Sequence, residues 1–411
     1  MGRRTALAIS GLTLICGIVS SAQTYKILHN FGGLVDGSQP STGLAFDNGG
    51  NLYGTAVLGP GHLCQGQGCG LVFKMSPQLD GSWIESVIHY FNGSDGAFPY
   101  APVAFDSGGN IYSTTSQFGS YGYGTLFELK PGSNGVWTLS VLHDFSGGWD
   151  GAFPVAGVTL GSSGDIYSTT QSGGMHYFGT AFSLRGEVDG WQEIVLHAFA
   201  SGDDGQYSYG ALTQDADGNL YGTTFYGGSN HAGVVFKLTR NRTTARWTET
   251  VLHSFTGTSG GSGLDGANPV AGVILDDAGN LYGTTAYGGP AGFGTVFKLA
   301  PQSDGSWNES IIHSFSGRDG AEPYGSLMFD SQGNLYGTTA YGGTSGGAWG
   351  TVFKLTSSSG QWVETVLYSF SGTLDGGLPA CGLVSDSAGN LYGTAILGGQ
   401  YSGGVAFEIV P

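Results

Sequence analysis

Along residues 272–299, short apolar runs alternate with turn residues in a way that predicts three strands. Gly272-Val273-Ile274-Leu275 leads into Asp276-Asp277-Ala278-Gly279-Asn280 and then Leu281-Tyr282-Gly283-Thr284-Thr285. Two runs rich in β-branched and aromatic residues around an Asp-x-x-Gly-Asn turn read as a β-hairpin. A glycine-rich gap then gives way to Gly294-Thr295-Val296-Phe297-Lys298-Leu299, a third strand. The next apolar run, Trp307 to Phe315, reads as a fourth. No helical period competes beyond residue 22.

The same pattern is written seven times. Second strands start at Asn51, Asn110, Asp165, Asn219, Asn280, Asn334 and Asn390, each followed by Leu or Ile and then Tyr. Fourth strands run from Trp83, Trp137, Trp191, Trp247, Trp307 and Trp362 to a Phe eight residues on, and a copy without the Trp opens the pattern at Tyr25 to Phe31. After each comes an Asp-Gly connection, usually with a nearby Pro. Its aspartates are Asp36, Asp95, Asp150, Asp204, Asp265, Asp319 and Asp375, at intervals of roughly 54 to 61 residues.

A four-stranded meander of this length is the unit of a β-propeller, so the fold expected is an all-β, seven-bladed β-propeller with four-stranded blades. It spans residues 23–411 as one domain, with repeats beginning near 25, 84, 138, 192, 248, 308 and 363. The phase of the ends adds a second argument. The pattern begins with a fourth strand and stops at Pro411, after a third. The N-terminal strand, Tyr25 to Phe31, is therefore expected to close the last blade and hide two edges. In a meander the Asp-Gly connections and the loops after Thr-Thr share one face, here called the top. It carries the longest and most variable loops, where binding usually resides.

Asn280-Leu281-Tyr282-Gly283-Thr284-Thr285, Tyr287-Gly288-Gly289, Gly294 to Leu299 and Glu249 to Phe255 resemble the GloVer tandem repeat of the choice-of-anchor group of bacterial exported proteins. The resemblance covers nearly the whole chain after residue 22. It implies an exported repeat protein and supplies no catalytic residues. Members that end in an anchoring module differ from this chain, which favours simple secretion as the expectation.

Residues 1–22 read as a signal peptide: Arg3 and Arg4, an apolar run from Ala6 to Val19, and Ser20-Ser21-Ala22 before a cleavage point at Gln23. Cys16 raises a lipoprotein reading, against which Ile15 stands where a lipobox wants a small residue. The expected location is secreted, extracellular or periplasmic. In that oxidising setting Cys64 and Cys69 are expected to form a disulfide across Gln-Gly-Gln-Gly, with zinc as the rival short of ligands. Cys381 reads as a small buried hydrophobe.

Composition narrows the partners. The 411 residues carry a net charge of −17, and only 10% are charged. That argues against nucleic acid and against anionic membrane surfaces. The 78 glycines come without a collagen period and with 40% hydrophobic residues, which excludes collagen and disorder. A monomer is expected.

Candidate chemistry is thin. His29, His89, His143, His197, His253 and His313, with Tyr368 in the seventh place, recur on outer strands too far apart to share one ion, so they read as structural. The Asp-Gly aspartates read as turn caps, with a Ca²⁺-binding ring as the rival. Asp47, Asp106, Asp215, Asp276, Asp330 and Asp386, interrupted by Gly161, read the same way. Departures from the repeat are where a site would show. His62, His176 and His231 fall outside it, in top loops of blades one, three and four, and form a candidate metal set if they converge. Top-loop aromatics and acids, above all Tyr123, Trp149, Phe178, Tyr207, Trp349, Asp150 and Asp204, are candidate ligand contacts, because aromatic faces pack on sugar rings and carboxylates accept from hydroxyls. The expected function is a binding module for a carbohydrate or a cell-surface protein, without a cofactor. The alternatives are a polysaccharide hydrolase or lyase, needing a carboxylate pair from different blades, and a purely structural surface protein.

Overall fold

In each of seven sheets the chain makes an antiparallel meander of four strands, as the repeat requires. The structure is a computed structural model that describes residues 23–33, 35–257 and 265–411. The predicted leader, with Arg3, Arg4 and Cys16, lies outside the described residues. In blade five the strands are Ile274–Leu275, Leu281–Thr285, Thr295–Pro301 and Trp307–Ser314, from channel to rim. The seven sheets form a β-propeller. Thr24–Asn30 completes the last blade, with Thr24 opposite Val410 and Asn30 opposite Val405.

The inner strands are shorter than the apolar runs suggest, two residues in each blade. The reason lies between blades. Carbonyls just upstream of the inner strand accept hydroxyls from the neighbouring blade: Thr223 Oγ1 donates to Ala271 O at 2.8 Å, Thr338 to Cys381 O at 2.7 Å and Thr394 to Thr42 O at 2.9 Å. Backbones also come too close there for a side chain. A Cβ on Gly210 would lie 2.2 Å from Gly272 N.

Each junction is held by one strained residue. Gln39, Phe98, Phe153, Tyr207, Asn268, Glu322 and Leu378 all have φ between 55° and 57°. Their N–H groups reach the previous blade and their carbonyls stay in their own. Leu378 N donates to Trp349 O at 2.9 Å, while Leu378 O accepts from Ile396 N at 3.2 Å. At the ring closure Gln39 N donates to Gly403 O at 2.8 Å and Gln39 O accepts from Val57 N at 3.2 Å. Left-handed backbone costs a non-glycine residue on the order of 1–3 kcal/mol, and two otherwise unmade buried hydrogen bonds justify that cost.

Aromatic packing completes the seam. The Phe ending each outer strand meets a Phe on the third strand of the next blade. Phe31 and Phe73 stand 5.0 Å apart, Phe255 and Phe297 5.1 Å, and all four are fully buried. Trp307 packs edge-on against Tyr221 of the preceding blade at 6.2 Å. A β-bulge between Val296 and Phe297 leaves Leu252's counterpart Ile312 without a ladder partner and turns it into the seam with blade six.

Two outcomes are expected. Leu378→Ile, which forces a β-branched residue into the left-handed elbow, should destabilise by about 1–3 kcal/mol in chemical denaturation, while Leu378→Gly should not; equal effects would show that the elbow carries no strain. Deleting residues 23–31 should lower the melting temperature sharply and broaden the transition, because the last blade loses its outer strand. An unchanged melt would mean that the ring does not depend on this closure.

Candidate functional site

The second residue after each elbow, which follows a Pro in six blades and Ser208 in blade four, points at the propeller axis. At this position stand Ser41, Tyr100, Val155, Tyr209, Val270, Tyr324 and Ala380, all lining one cavity of about 670 Å³. Phe225, Tyr287 and Ile396 add walls from the top ends of second strands. Large and small residues alternate around the ring from blade two to blade seven, so three tyrosines face the axis without crowding. None of the lining residues is Asp, Glu, His, Lys or Arg. Polar atoms are nevertheless at hand. Gln171 Nε2 donates to Tyr209 OH at 2.9 Å, Tyr324 OH donates to Glu322 Oε2, and the Tyr287 and Tyr324 hydroxyls lie 3.3 Å apart. Burial raises the Tyr100, Tyr209 and Tyr324 hydroxyls above their ordinary range, with Glu322 adding to Tyr324, so all three remain neutral donors. Beside Tyr100 and Val155 a second hollow of about 300 Å³ is lined by Gln117, Gln171, Ser116, Ser172 and Phe153.

The top-loop aromatics singled out from sequence sit elsewhere. Tyr123, Phe178 and Trp349 are equivalent residues, each just before the glycine that opens a third strand, and each is a wedge between blades. A Cβ on Gly147 would meet the Tyr123 ring at 2.6 Å, and one on Gly372 would meet the Trp349 ring at 2.4 Å. Phe178 stands edge-on to Tyr207 at 5.9 Å. Tyr207 is itself an elbow residue. Trp149 differs: it is 72% exposed, in the same sector as exposed Tyr121, Met175 and Tyr177. The channel residues were missed, although a signal existed. In the Asp-Gly-x-x-Pro segment, whose Pro is replaced by Ser208 in blade four, the position after Pro alternates between Tyr and a small residue from blade two to blade seven.

The acids and histidines fall at the rims. Asp204 accepts His197 Nε2 at 3.0 Å, Ala200 N at 2.9 Å and Gly205 N at 2.6 Å; Asp150 lies 3.3 Å from His143 Nε2 and accepts Ser146 N at 2.8 Å. These are turn caps, and Tyr368 OH makes the same bond to Asp375 at 3.0 Å. On the bottom face Asp276 accepts four donors, Ala278 N, Asn280 N, Asn280 Nδ2 and Tyr282 OH, at 2.7 to 3.0 Å. Asp215 is engaged in the same way. Where Gly161 breaks the series, Asp165 supplies the carboxylate instead and Arg185 binds it in bidentate fashion at 2.9 and 3.1 Å.

The metal set expected of His62, His176 and His231 does not form. All three are exposed, and none belongs to a cluster of His, Cys, Asp or Glu ligand atoms among the described residues. His231 sits in a local turn, its N donating to Gly228 O at 3.1 Å, and the disulfide of the His62 loop packs beside Phe98 of blade two. Cys64 and Cys69 are joined by a disulfide, and Cys381 is buried against the channel collar.

A family model described as the Gloeobacter/Verrucomicrobia repeat matches residues 61–263 and 261–411. A candidate 6-phosphogluconolactonase from Bacteroides uniformis ATCC 8492 superposes with a TM-score of 0.53 at 13% identity, over 81% of this chain and 85% of its own. A second, from Bacteroides fragilis NCTC 9343, gives 0.51 at 13% identity, over 87% and 98%. Likeness at this level of identity concerns the fold. No curated protein matches the chain.

One rim feature remains, built on the glutamate that opens the Glu249 to Phe255 motif and its copies. Glu85, Glu193, Glu249, Glu309 and Glu364, each on an outer strand, press into the His–Asp pair of the preceding blade, and each has an Oε1 that is buried without a hydrogen-bond partner. Burial, reinforced by Asp150, pushes the Glu193 carboxyl up to about 8; burial and the adjacent aspartates take Glu85 and Glu309 to about 7. A carboxyl that keeps its proton in the fold but loses it near 4.5 in the unfolded chain stabilises fully below that value, and the contribution is lost as pH rises through the folded value. Thermal stability in metal-free buffer should therefore fall as pH rises from about 5 to about 8. Glu193→Gln should flatten part of that slope. A slope unchanged in this variant would mean that Glu193 is ionised throughout.

Proposed function

The chain belongs to the Gloeobacter/Verrucomicrobia repeat family, and on this propeller we propose an exported binding module that takes a neutral saccharide in the mouth of the central channel. The observation that carries the reading is the uncharged, tyrosine-rich lining of the channel in a protein of net charge −17. A concave apolar wall with a few convergent polar groups is the usual form of a small-molecule site. Tyrosine offers a flat apolar face and a hydroxyl at its tip. That pair suits a sugar ring, which has apolar C–H faces and hydroxyls around its edge. Gln117 and Gln171 extend the polar contacts toward blades two and three.

Charge narrows the ligand further. An anionic phosphate ester, the substrate class to which the structural neighbours' names point, would meet no cation among the lining residues. Hydrolysis by a carboxylate pair would need two acids beside the ligand, and the lining holds none, with Glu322 bonded to Tyr324 OH the carboxylate just behind it. Export rests on the leader motif of residues 1–22 and on the Cys64–Cys69 disulfide, which suits an oxidising compartment.

The test is a glycan array with the purified chain, alongside Tyr100→Ala. Tyr100 is 46% exposed, so its truncation should spare the fold. Binding to neutral glycans is expected, with a loss of roughly tenfold or more in the variant. Silence on the array, or binding that Tyr100→Ala leaves intact, would overturn the channel as the site.

A further inference from the structure

We propose that the His197–Asp204–Glu249 and His313–Asp319–Glu364 clusters are divalent transition-metal sites, zinc in type, that bolt blade three to blade four and blade five to blade six. In each cluster one imidazole nitrogen and two carboxylate oxygens lie within 4.8 Å of one another. His197 Nε2 is 3.0 Å from Asp204 Oδ2, and His313 Nε2 is 3.2 Å from Asp319 Oδ2. These are hydrogen-bond distances, and the pair needs to open by only a few tenths of an ångström to reach the roughly 3.3–3.6 Å that separates two tetrahedral ligands on one ion at bonds of about 2.0–2.2 Å. A mixed N/O/O set of this kind suits zinc better than calcium, which takes oxygen alone. Water would fill the remaining position.

A second observation is independent of the clustering. Oε1 of Glu249 and Oε1 of Glu364 are buried and have no partner. A buried acceptor left unmade costs on the order of 1–3 kcal/mol, more when charged. The niche itself is apolar. At the junction of blades one and two its occupant is Leu139, packed into the seam, and at the junction of blades six and seven it is Tyr25. In that last case His is also lost, and Tyr368 stacks on Tyr25 at 4.1 Å. At that junction imidazole and carboxylate are replaced together by a neutral aromatic pair, whereas beside Leu139 the His89–Asp95 pair is kept at 3.0 Å. Glu85, Glu193 and Glu309 fill the same niche, but among the described residues only Glu249 and Glu364 bring their oxygen within ligand distance of both the imidazole and the aspartate, where a cation would satisfy it.

The supporting shell is already in place. Asp204 is fixed by Ala200 N and Gly205 N, and Asp319 by Ser316 N at 2.8 Å and Ser316 Oγ at 3.0 Å. Binding would replace the His197–Asp204 and His313–Asp319 hydrogen bonds with bonds to the ion. The site is separate from the channel, at the outer rim of the top face.

The experiment uses the full chain, stripped with chelator and titrated with zinc chloride by calorimetry, with a thermal melt at each end point. Two equivalents are expected to bind and to raise the melting temperature. Glu249→Gln and Glu364→Gln should each remove one equivalent, and the double variant both. Glu249→Leu, which copies Leu139, should keep the fold while losing the same equivalent, so a misfolded Gln variant would not hide the answer. Glu193→Gln should leave both equivalents in place. Zinc uptake that is absent, or unaltered in the double variant, would overturn the proposal and leave these carboxyls as protonated acids.

Discussion

Everything in this propeller hangs on the left-handed elbow that joins each blade to the next. A blade on its own is a twisted sheet with two apolar faces, and neither face is covered until a neighbour arrives. The elbow makes that arrival specific. Its N–H is bonded to one blade and its carbonyl to the other, so the two sheets cannot slide without breaking two buried hydrogen bonds. Seven elbows at φ of 55° to 57° mean that the strain is paid at every junction, including the closure at Gln39. The interblade phenylalanine pairs follow from this registration. They meet at 5.0 to 5.3 Å all the way around.

A constraint repeated seven times leaves few places for individuality. The His–Asp caps, the bottom-face aspartates and the glycines before third strands are needed by every blade. Where one of them changes, a partner changes with it: Asp165 and Arg185 replace the lost turn aspartate, and Tyr25 with Tyr368 replaces a Glu and a His. The second residue after the elbow is different. Its neighbours are fixed, its own side chain projects into open space, and nothing in the blade restricts its size. That freedom is why Tyr, Val, Ser and Ala all occur there.

Strand order, blade number and ring closure were legible in the sequence because they depend on local patterns: turn residues, apolar periodicity and the phase of the two ends. Radial position was not. Tyr123 and Tyr100 are both aromatic residues in top-face loops, yet one is a wedge between blades and the other lines the channel. The difference comes from the elbow, whose backbone conformation no residue type announces; Gln, Phe, Tyr, Asn, Glu and Leu all adopt it. The same ignorance of radius made a convergent set of His62, His176 and His231 conceivable. Among the described residues the three do not share a cluster of ligand atoms. The outer glutamates were hidden for another reason: in sequence they are simply the polar positions of an alternating strand, and burial appears only when the next blade's neighbour is in place.

The distribution of charge ties the two sites together. The capping acids are held at the rims, where turn N–H groups and imidazoles satisfy them, and the residues that line the axis carry no charge of their own. A ligand at the axis would be selected mainly by shape and hydrogen bonding, with the Glu322 carboxylate held behind the wall by Tyr324 OH. At the rim the reverse holds. A cation there would gain from the protein's negative field and from two carboxylates at once. One scaffold can therefore keep a neutral ligand and a charged fastener apart, since the elbow fixes the radius at which every side chain acts.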